Sequence, residues 1–130
     1  MESTSVVSES LGGIGDDFLS PEEQLLIYRC LKTACHEICH VLSMTHCPYF
    51  ECLMNGSNLV GEADKKPFAL CPICLRKLDR YCEIGCDGGL QSRYFALVRT
   101  INQSNNKNFA MELALYTDLQ DLFESDIEDP

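Results

Sequence analysis

The amino-acid sequence predicts a mostly α-helical fold with cysteine-rich loops and little or no β-sheet. Apolar residues recur at helical spacing in three stretches, over about 21–42, 90–101 and 109–123. Residues 47–74 instead alternate turn-forming residues with cysteines, which indicates loops rather than regular structure. With 130 residues the chain is long enough for one domain with a modest core, so additional cross-links would stabilise it.

The first helix has a clear start in the sequence. Ser20 is a preferred N-cap residue, Pro21 suits the first helical position, and Glu23 completes a capping box. Residues 1–19 are rich in Ser, Gly and Asp without periodicity, so we expect a flexible N-terminal segment there. The helix itself, from 21 to about 42, is apolar on most faces of its C-terminal half and therefore requires burial on most sides.

The later elements follow from similar signals. Cys71-Pro72-Ile73-Cys74 predicts a tight knuckle with a helical turn after it, and the run 90–101 predicts a helix that packs on the preceding part. The polar run 102–108 is interpreted as a linker. Residues 109–123 predict an amphipathic helix, and the acidic residues that follow, to 130, predict a solvated tail.

Charge and targeting signals limit the classes of partner. The net charge is −10 with only ten Lys and Arg, which works against nucleic acid or an anionic membrane as the main partner. The first residues lack the basic start and apolar run of a secretory signal, and no stretch is long and apolar enough for a membrane helix. We expect a cytoplasmic or nuclear protein, whose nine cysteines are metal ligands, buried residues or redox thiols rather than disulfides.

A histidine pair on the first helix indicates a metal site. His36-Glu37-Ile38-Cys39-His40 separates two imidazoles by four residues, which is about one helical turn or ~6 Å, so one zinc ion can bridge them. Glu37 is next to the first histidine and can act as general base toward a water on that zinc. The pattern alone is short, and the alternative is a solvent-facing histidine pair with Glu37 as an ordinary helix former.

His46 strengthens the metal interpretation. In a continuous helix His46 would lie ~9 Å further along the axis and ~120° round from His40, too far to share a zinc ion. The spacing therefore predicts that the chain breaks near Ser43 and turns back. A left-handed turn suits glycine and costs serine roughly 1–2 kcal/mol, which zinc binding can offset.

A second group of ligands comes directly after His46. Two short-spaced cysteine pairs predict a closed, structural zinc site, formed by Cys47, Cys52, Cys71 and Cys74. The alternative is that these thiols are buried spacers. Because the first of them is the neighbour of His46, closing this site would also position the third histidine. We expect Cys30, Cys35 and Cys39 to be packed in the core. Cys82 and Cys86 are spaced like a helical pair that could bind a metal, but we favour packing because no histidine lies nearby.

These motifs resemble those of the archaemetzincin peptidases, especially the animal ones. The resemblance rests on His-Glu-x-x-His-x-x-Ser-x-x-His-Cys from residue 36, Cys52-Leu53-Met54 and Cys71-Pro72-Ile73-Cys74, and it covers roughly residues 26–101. It implies an α+β zincin or metzincin-like fold and two zinc ions. The catalytic zinc would be held by His36, His40 and His46, and the structural zinc by the four cysteines, with Glu37 as general base and Met54 in the Met-turn. From sequence alone Met54 could equally be an ordinary core residue.

The resemblance also suggests how the chain is organised. We divide it into the N-terminal segment 1–19, a metzincin-like zinc-binding core over 20–101, and a linker, amphipathic helix and acidic tail over 102–130. Family members carry a long N-terminal portion with a mixed sheet on the active-site helix, and we find no strand series before His36. We therefore expect a chain that lacks most of that portion, and a protein partner that covers the exposed helix.

The leading functional hypothesis is a zinc metallopeptidase that cleaves peptide or protein substrates, and the resemblance implies aminopeptidase-like action. A second is a catalytically inactive, truncated zinc-binding homologue that acts as an interaction protein. A third is a zinc ribbon or RING-like module in which the histidines are incidental, with nucleic acid disfavoured by the net charge.

Overall fold

The computed structural model describes residues 19–83 and 89–125. These residues form five α-helices and one short 3₁₀ helix, and no strand occurs in them. The helices are α1 (Pro21–Val41), α2 (Val60–Lys65), α3 (Pro72–Cys82), α4 (Gly89–Ser104) and α5 (Ala110–Ser125), with the 3₁₀ helix (Lys107–Phe109) just before α5. The predicted flexible segment and the end of the acidic tail lie outside the described residues.

Helix α1 begins as the sequence predicts. The Ser20 hydroxyl accepts a hydrogen bond from the Glu23 amide at 3.2 Å, and the Ser20 amide donates to the Glu23 carboxylate at 2.8 Å. Pro21 occupies the first helical position. The capping box thus satisfies two amides that the first helical turn leaves without a partner.

Helix α1 ends in a left-handed turn at Ser43. This residue has φ 63°, and its amide donates to the carbonyl of His40 at 2.9 Å. The Met44 amide reaches back to the carbonyl of Cys39 at 3.0 Å, as in a Schellman cap. The predicted break near Ser43 is confirmed, and serine occupies a conformation that favours glycine.

The segment after α1 is more helical than the sequence predicts. Residues 60–65 form α2 where only loop was expected, and the turn expected after Cys74 is the full helix α3, with Cys71 as its N-cap. Helix α4 continues to Ser104, into the run interpreted as a linker, because the chain leaves helical geometry only at Asn105, where φ is 48°. Helix α5 confirms the predicted amphipathic helix.

Two clusters of side chains pack against α1 in the described structure. One contains the buried thiols with Met44 and Met54, and the other is aromatic, with Tyr28 in edge contact with Phe68 and Phe109. Glu112 of α5 joins the aromatic cluster to the main chain, because its carboxylate accepts from the Tyr28 hydroxyl at 2.9 Å and from the Phe68 amide at 3.2 Å. Helix α5 is thereby attached to α1 and to the loop before α3.

The prediction that the remaining cysteines are packed in the core is only partly right. Cys39 is buried and Cys35 is half-buried, but Cys30 and Cys82 are exposed. Cys30 is nine residues before Cys39, which places it on the opposite face of α1, about 180° away. Cys82 is the last residue of α3, beyond the turn that packs on the core. Cys86 lies outside the described residues.

Much of the apolar surface of α1 is uncovered in the described structure. Leu26, Ile38 and Val41 are 61%, 56% and 80% exposed. None of the described helices has both the length and the apolar character needed to cross a membrane.

Replacing Ser43 by glycine tests the left-handed turn. We expect Ser43→Gly to relieve about 1 kcal/mol of backbone strain and therefore to tighten zinc binding about fivefold. A titration against a chromophoric chelator measures this. The control is Ser92→Gly, an exposed residue near the start of α4, where glycine weakens the helix and brings no gain in affinity. Unchanged or weaker zinc binding by Ser43→Gly would contradict the role given to this turn.

Candidate metal centre

The structure brings the three predicted histidines together. His36 and His40 lie one turn apart on α1, and the chain reversal after Ser43 returns His46 to the same place. The ring centroids are 4.6 Å apart for His36 and His40, 4.8 Å for His40 and His46, and 5.3 Å for His36 and His46. One ring nitrogen from each lies within 4.8 Å of the others.

Hydrogen bonds to the main chain fix how two of these rings present their nitrogens. Nδ1 of His36 lies 2.8 Å from the carbonyl oxygen of Leu53, and Nδ1 of His40 lies 2.7 Å from that of Met44. Since a carbonyl can only accept, each Nδ1 carries the proton and each Nε2 presents a lone pair. Main-chain support of this kind is typical of metal-bound histidines.

The two Nε2 lone pairs point at each other, which is unfavourable without a cation. Nε2 of His36 and Nε2 of His40 are 3.0 Å apart. Two nitrogens on one tetrahedral zinc ion at the usual bond length are ~3.3 Å apart, so the pair is close to the spacing that zinc requires. Burial lowers the pKa of His36, with Lys66 and His40 adding to the effect, and this favours the neutral imidazole that binds metals.

His46 is held from the side by a glycine. A Cβ atom placed on Gly56 would lie 3.1 Å from Nδ1 of His46 and 3.4 Å from its Cε1. Any side chain at this position would therefore press on the imidazole. The absence of a side chain at Gly56 is what allows the ring to lie against the 54–56 turn.

The four predicted cysteines form the second group. Their sulfur atoms all lie within 4.8 Å of one another, and those of Cys47 and Cys71 are 3.9 Å apart. Two sulfurs on one tetrahedral zinc ion are ~3.8 Å apart, so this spacing also fits. All four side chains are buried, and the four have no disulfide between them.

The thiols differ in how readily they ionise. The amides of Tyr49 and Phe50 lower the pKa of Cys47 to about 7, whereas burial raises the pKa of Cys52 and that of Cys74. The thiolate form is thus favoured at Cys47, whereas burial disfavours the charged form of Cys52 and Cys74. A bound cation would stabilise all of these thiolates, because the thiolate is the form that binds metal.

Residues 46–54 connect the two groups. The Cys47 amide donates to the carbonyl of Met54 at 2.8 Å, and the Leu53 amide donates to that of Ala69 at 2.8 Å. Leu53 is also the residue whose carbonyl orients His36. This loop therefore supplies two thiols to the cysteine group. To the histidine group it supplies His46 and the Leu53 carbonyl that orients His36.

Asn55 ties this loop together. Its amide nitrogen donates to the carbonyl of Cys47 at 2.8 Å and to that of Phe50 at 2.7 Å, and its amide oxygen accepts from the Cys52 amide at 2.9 Å. Met54, the residue before it, is fully buried beneath the thiols. Glu37 is exposed on α1 beside His36, where its carboxylate can reach water and a bound ligand.

The family comparison agrees with this geometry. The model of peptidase family M54 matches residues 3–80, which is more than half of the chain. The chain belongs to peptidase family M54. The M54 match reaches further toward the N-terminus than the motif resemblance, which began near residue 26, and it ends within α3.

Archaemetzincins are among the similar proteins, as the motifs predicted. The chain is 45% identical to archaemetzincin-2 of Pongo abelii and 43% identical to archaemetzincin-2 of Homo sapiens, in each case over 100 residues that make up 76% of this M54 chain and 27% of the relative. It is 50% identical to archaemetzincin-1 of Homo sapiens over 50 residues, 38% of this chain and 10% of that protein. The chain thus spans about a quarter of the length of its archaemetzincin-2 relatives. No solved structure matches it significantly.

Sequence reasoning missed the residues that support the histidines. Asn55 and Gly56 form an Asn-Gly dipeptide, a turn signal directly after Met54 that could have drawn attention to this loop. The Leu53 carbonyl has no sequence signal, because any residue has a carbonyl. Lys66 lies 3.3 Å from Nδ1 of His36, and only the fold brings it there.

The space beside His46 can be tested with a glycine pair. Gly56→Ala introduces a methyl group 3.1 Å from the ring, and we expect it to displace His46 and weaken zinc binding at the histidines about tenfold. Chelator competition measures the affinity. Gly61→Ala in α2 is the matched control, since a Cβ there meets nothing within 4 Å. Equal affinities for the two variants would show that Gly56 does not constrain His46.

Removing one thiol tests the connection between the groups. Because residues 46–54 serve both, we expect Cys71→Ser to lose the metal of the cysteine group and also to bind zinc less tightly at the histidines. Metal analysis of the purified protein gives the zinc content per chain. Cys30→Ser, at an exposed cysteine, should bind zinc as the unmodified chain does. Two firmly bound zinc ions per chain in Cys71→Ser would contradict the connection.

Proposed function

We propose that this chain provides the catalytic zinc centre of a metallopeptidase, with a second, structural zinc ion beneath it. The observation that carries the proposal is the pair of facing lone pairs on His36 and His40, 3.0 Å apart and each set by a main-chain carbonyl. Membership of peptidase family M54 supports it. In this proposal the three histidines hold the catalytic ion and the four cysteines hold the structural one.

The two sets of ligands suggest different roles for the two proposed zinc ions. Four thiolates fill a tetrahedral shell, so an ion there stabilises the loop and takes no part in chemistry. Three histidines leave a position open toward solvent and substrate. When bound there, zinc would polarise a peptide carbonyl and make water acidic enough to lose a proton near neutral pH.

Glu37 is the general base in this proposal. Its exposed carboxylate is next to His36 and can accept the proton of the attacking water. The carboxylic acid formed in this way then donates the proton to the nitrogen of the departing amine, so that Glu37 returns to its carboxylate form. His36 and His40 remain oriented throughout by the Leu53 and Met44 carbonyls.

Met54 and the wider fold complete the proposal. Met54 would lie beneath the histidines, in the position that the Met-turn methionine occupies in metzincins. In full-length relatives we propose an α+β metzincin-like fold, in which further chain covers α1. More specifically, we propose that the peptidase activity is aminopeptidase-like.

The uncovered face of α1 favours a second candidate function. With Leu26, Ile38 and Val41 more than half exposed, the chain could act as a zinc-binding interaction protein without turnover. A protein partner that covers this face would then be its ligand. Measurements of cleavage separate the two candidates.

Glu37→Gln tests the peptidase mechanism. The zinc-loaded chain should cleave a mixed peptide library, read by mass spectrometry, and the variant should lose at least about a hundredfold in rate with its zinc content unchanged. Glu22→Gln, an exposed residue at the start of α1, should cleave normally. Equal cleavage by the unmodified chain and Glu37→Gln would refute this role of Glu37. Full zinc loading without cleavage would favour the interaction protein.

A further inference from the structure

A cleft of about 460 Å³ lies between α1 and α2, next to the histidines. Its walls include Thr33 of α1 and Val60 and Ala63 of α2. We call it the α1–α2 cleft. Lys66, which also lines it, lies 3.3 Å from Nδ1 of His36, so the cleft begins directly behind the proposed catalytic ligand.

The cleft is positive, although the chain as a whole is strongly negative. Its lining contains Arg29, Lys32 and Lys66 but only one carboxylate, that of Asp64. Arg29 forms a bidentate salt bridge with this carboxylate, with N–O distances of 2.9 and 2.5 Å. Among the described residues the two lysines therefore have no ion-pair partner, although the chain has a net charge of −10.

Lys32 is the less ordinary of the two because it is only 3% exposed. Its ammonium group contacts the main-chain carbonyl of Asp64 at 3.4 Å and lies 5.5 Å from the centre of the Tyr28 ring. Burial lowers the pKa of Lys32, and the field of Lys66 acts in the same direction, while Glu112 and Asp64 partly offset both. Glu112 lies on the far side and does not line the cleft.

Lys66 is half-buried and lines the same cleft. It donates to the main-chain carbonyl of Asn55 at 3.1 Å, and Glu37 is the carboxylate whose field it feels most. Within residues 19–83 and 89–125, neither lysine is in an ion pair with a carboxylate. A buried ammonium group without an anion is costly, and one anion between buried Lys32 and half-buried Lys66 would stabilise both charges.

We propose that the α1–α2 cleft is a substrate subsite that binds an acidic side chain, Asp or Glu, close to the scissile bond. Lys32 and Lys66 are then the specificity-determining residues. The inference rests on the proposed peptidase function, because the cleft adjoins the histidines and Glu37. A carboxylate in the cleft would accept charge-assisted hydrogen bonds from both ammonium groups, whereas a glutamine side chain would leave them without an anion.

Peptide binding tests the subsite without requiring turnover. The zinc-loaded Glu37→Gln protein is titrated with labelled six-residue peptides, amidated at the C-terminus, in which one Glu or one Gln is moved through an otherwise uncharged sequence. Fluorescence anisotropy gives the affinities. A further uncharged peptide with a free C-terminal carboxylate separates a side-chain carboxylate from the end of a peptide.

We expect one peptide position to favour Glu over Gln by about tenfold. Lys66→Gln and Lys32→Met, each made in the Glu37→Gln protein, should remove most of this preference, and zinc content and circular dichroism check that both variants are folded. Lys65→Gln is the matched control, since Lys65 is the exposed last residue of α2, directly before Lys66, and does not line the cleft. Lys66→Glu should reverse the preference toward a peptide with Lys at that position.

Three results would overturn the inference. They are equal affinities for Glu and Gln at every position, a preference that survives both lysine substitutions, and tighter binding of the free C-terminal carboxylate alone. The test is separable from that of the proposed function. Cleavage by the unmodified chain without a preference for Glu leaves the peptidase proposal standing and rejects the subsite. A lysine-dependent preference in binding without any cleavage supports the subsite and rejects turnover.

Discussion

The hydrogen bond between Nδ1 of His36 and the carbonyl of Leu53 is the interaction on which the rest of the structure depends. It joins α1 to the loop 46–54, and that loop supplies Cys47 and Cys52 to the cysteine group. The bond also fixes which nitrogen of His36 is free to bind a metal. This one hydrogen bond therefore links the orientation of His36 to the path of the loop 46–54 and to the position of its two cysteines.

In the proposed function, metal binding would add stability to a chain whose buried core is small. Fully buried side chains are few, and among the described residues the largest are Met54 and Cys52, both next to the thiols. Structural zinc contributes ~10–16 kcal/mol of binding free energy in small peptides, far more than the cost of one left-handed serine. The proposed zinc binding would therefore offset the cost of φ 63° at Ser43, which is not glycine.

The sequence predicts the ligands better than their supports. Histidines and cysteines are chemically distinctive and their spacing follows helix geometry, so both groups and the turn at Ser43 could be identified. The resemblance to archaemetzincins was confirmed for the same reason. Helix α2 was missed because its six residues carry no periodic apolar pattern. Gly56, Lys32 and Lys66 act through contacts between segments distant in sequence, and no local pattern reports such contacts.

In the two proposals above, the single helix α1 would serve both substrate binding and chemistry. His36, Glu37 and His40 lie toward the C-terminal end of α1, and Lys32 precedes them by one turn. A peptide that reaches the proposed zinc ion would therefore pass close to the two lysines. The net charge of the chain is −10, so most of its surface repels an acidic ligand. A local positive region would steer such a ligand toward the cleft.

X-ray absorption at the zinc edge tests the central claim, that the chain holds one zinc ion on histidines and another on cysteines. Sulfur ligands lie at ~2.3 Å from zinc and nitrogen ligands at ~2.0 Å, so the two kinds of shell can be distinguished. For a chain loaded with two equivalents of zinc, we predict an average of about two sulfur and two lighter ligands per ion. A shell of sulfur alone with a single bound ion would contradict the account.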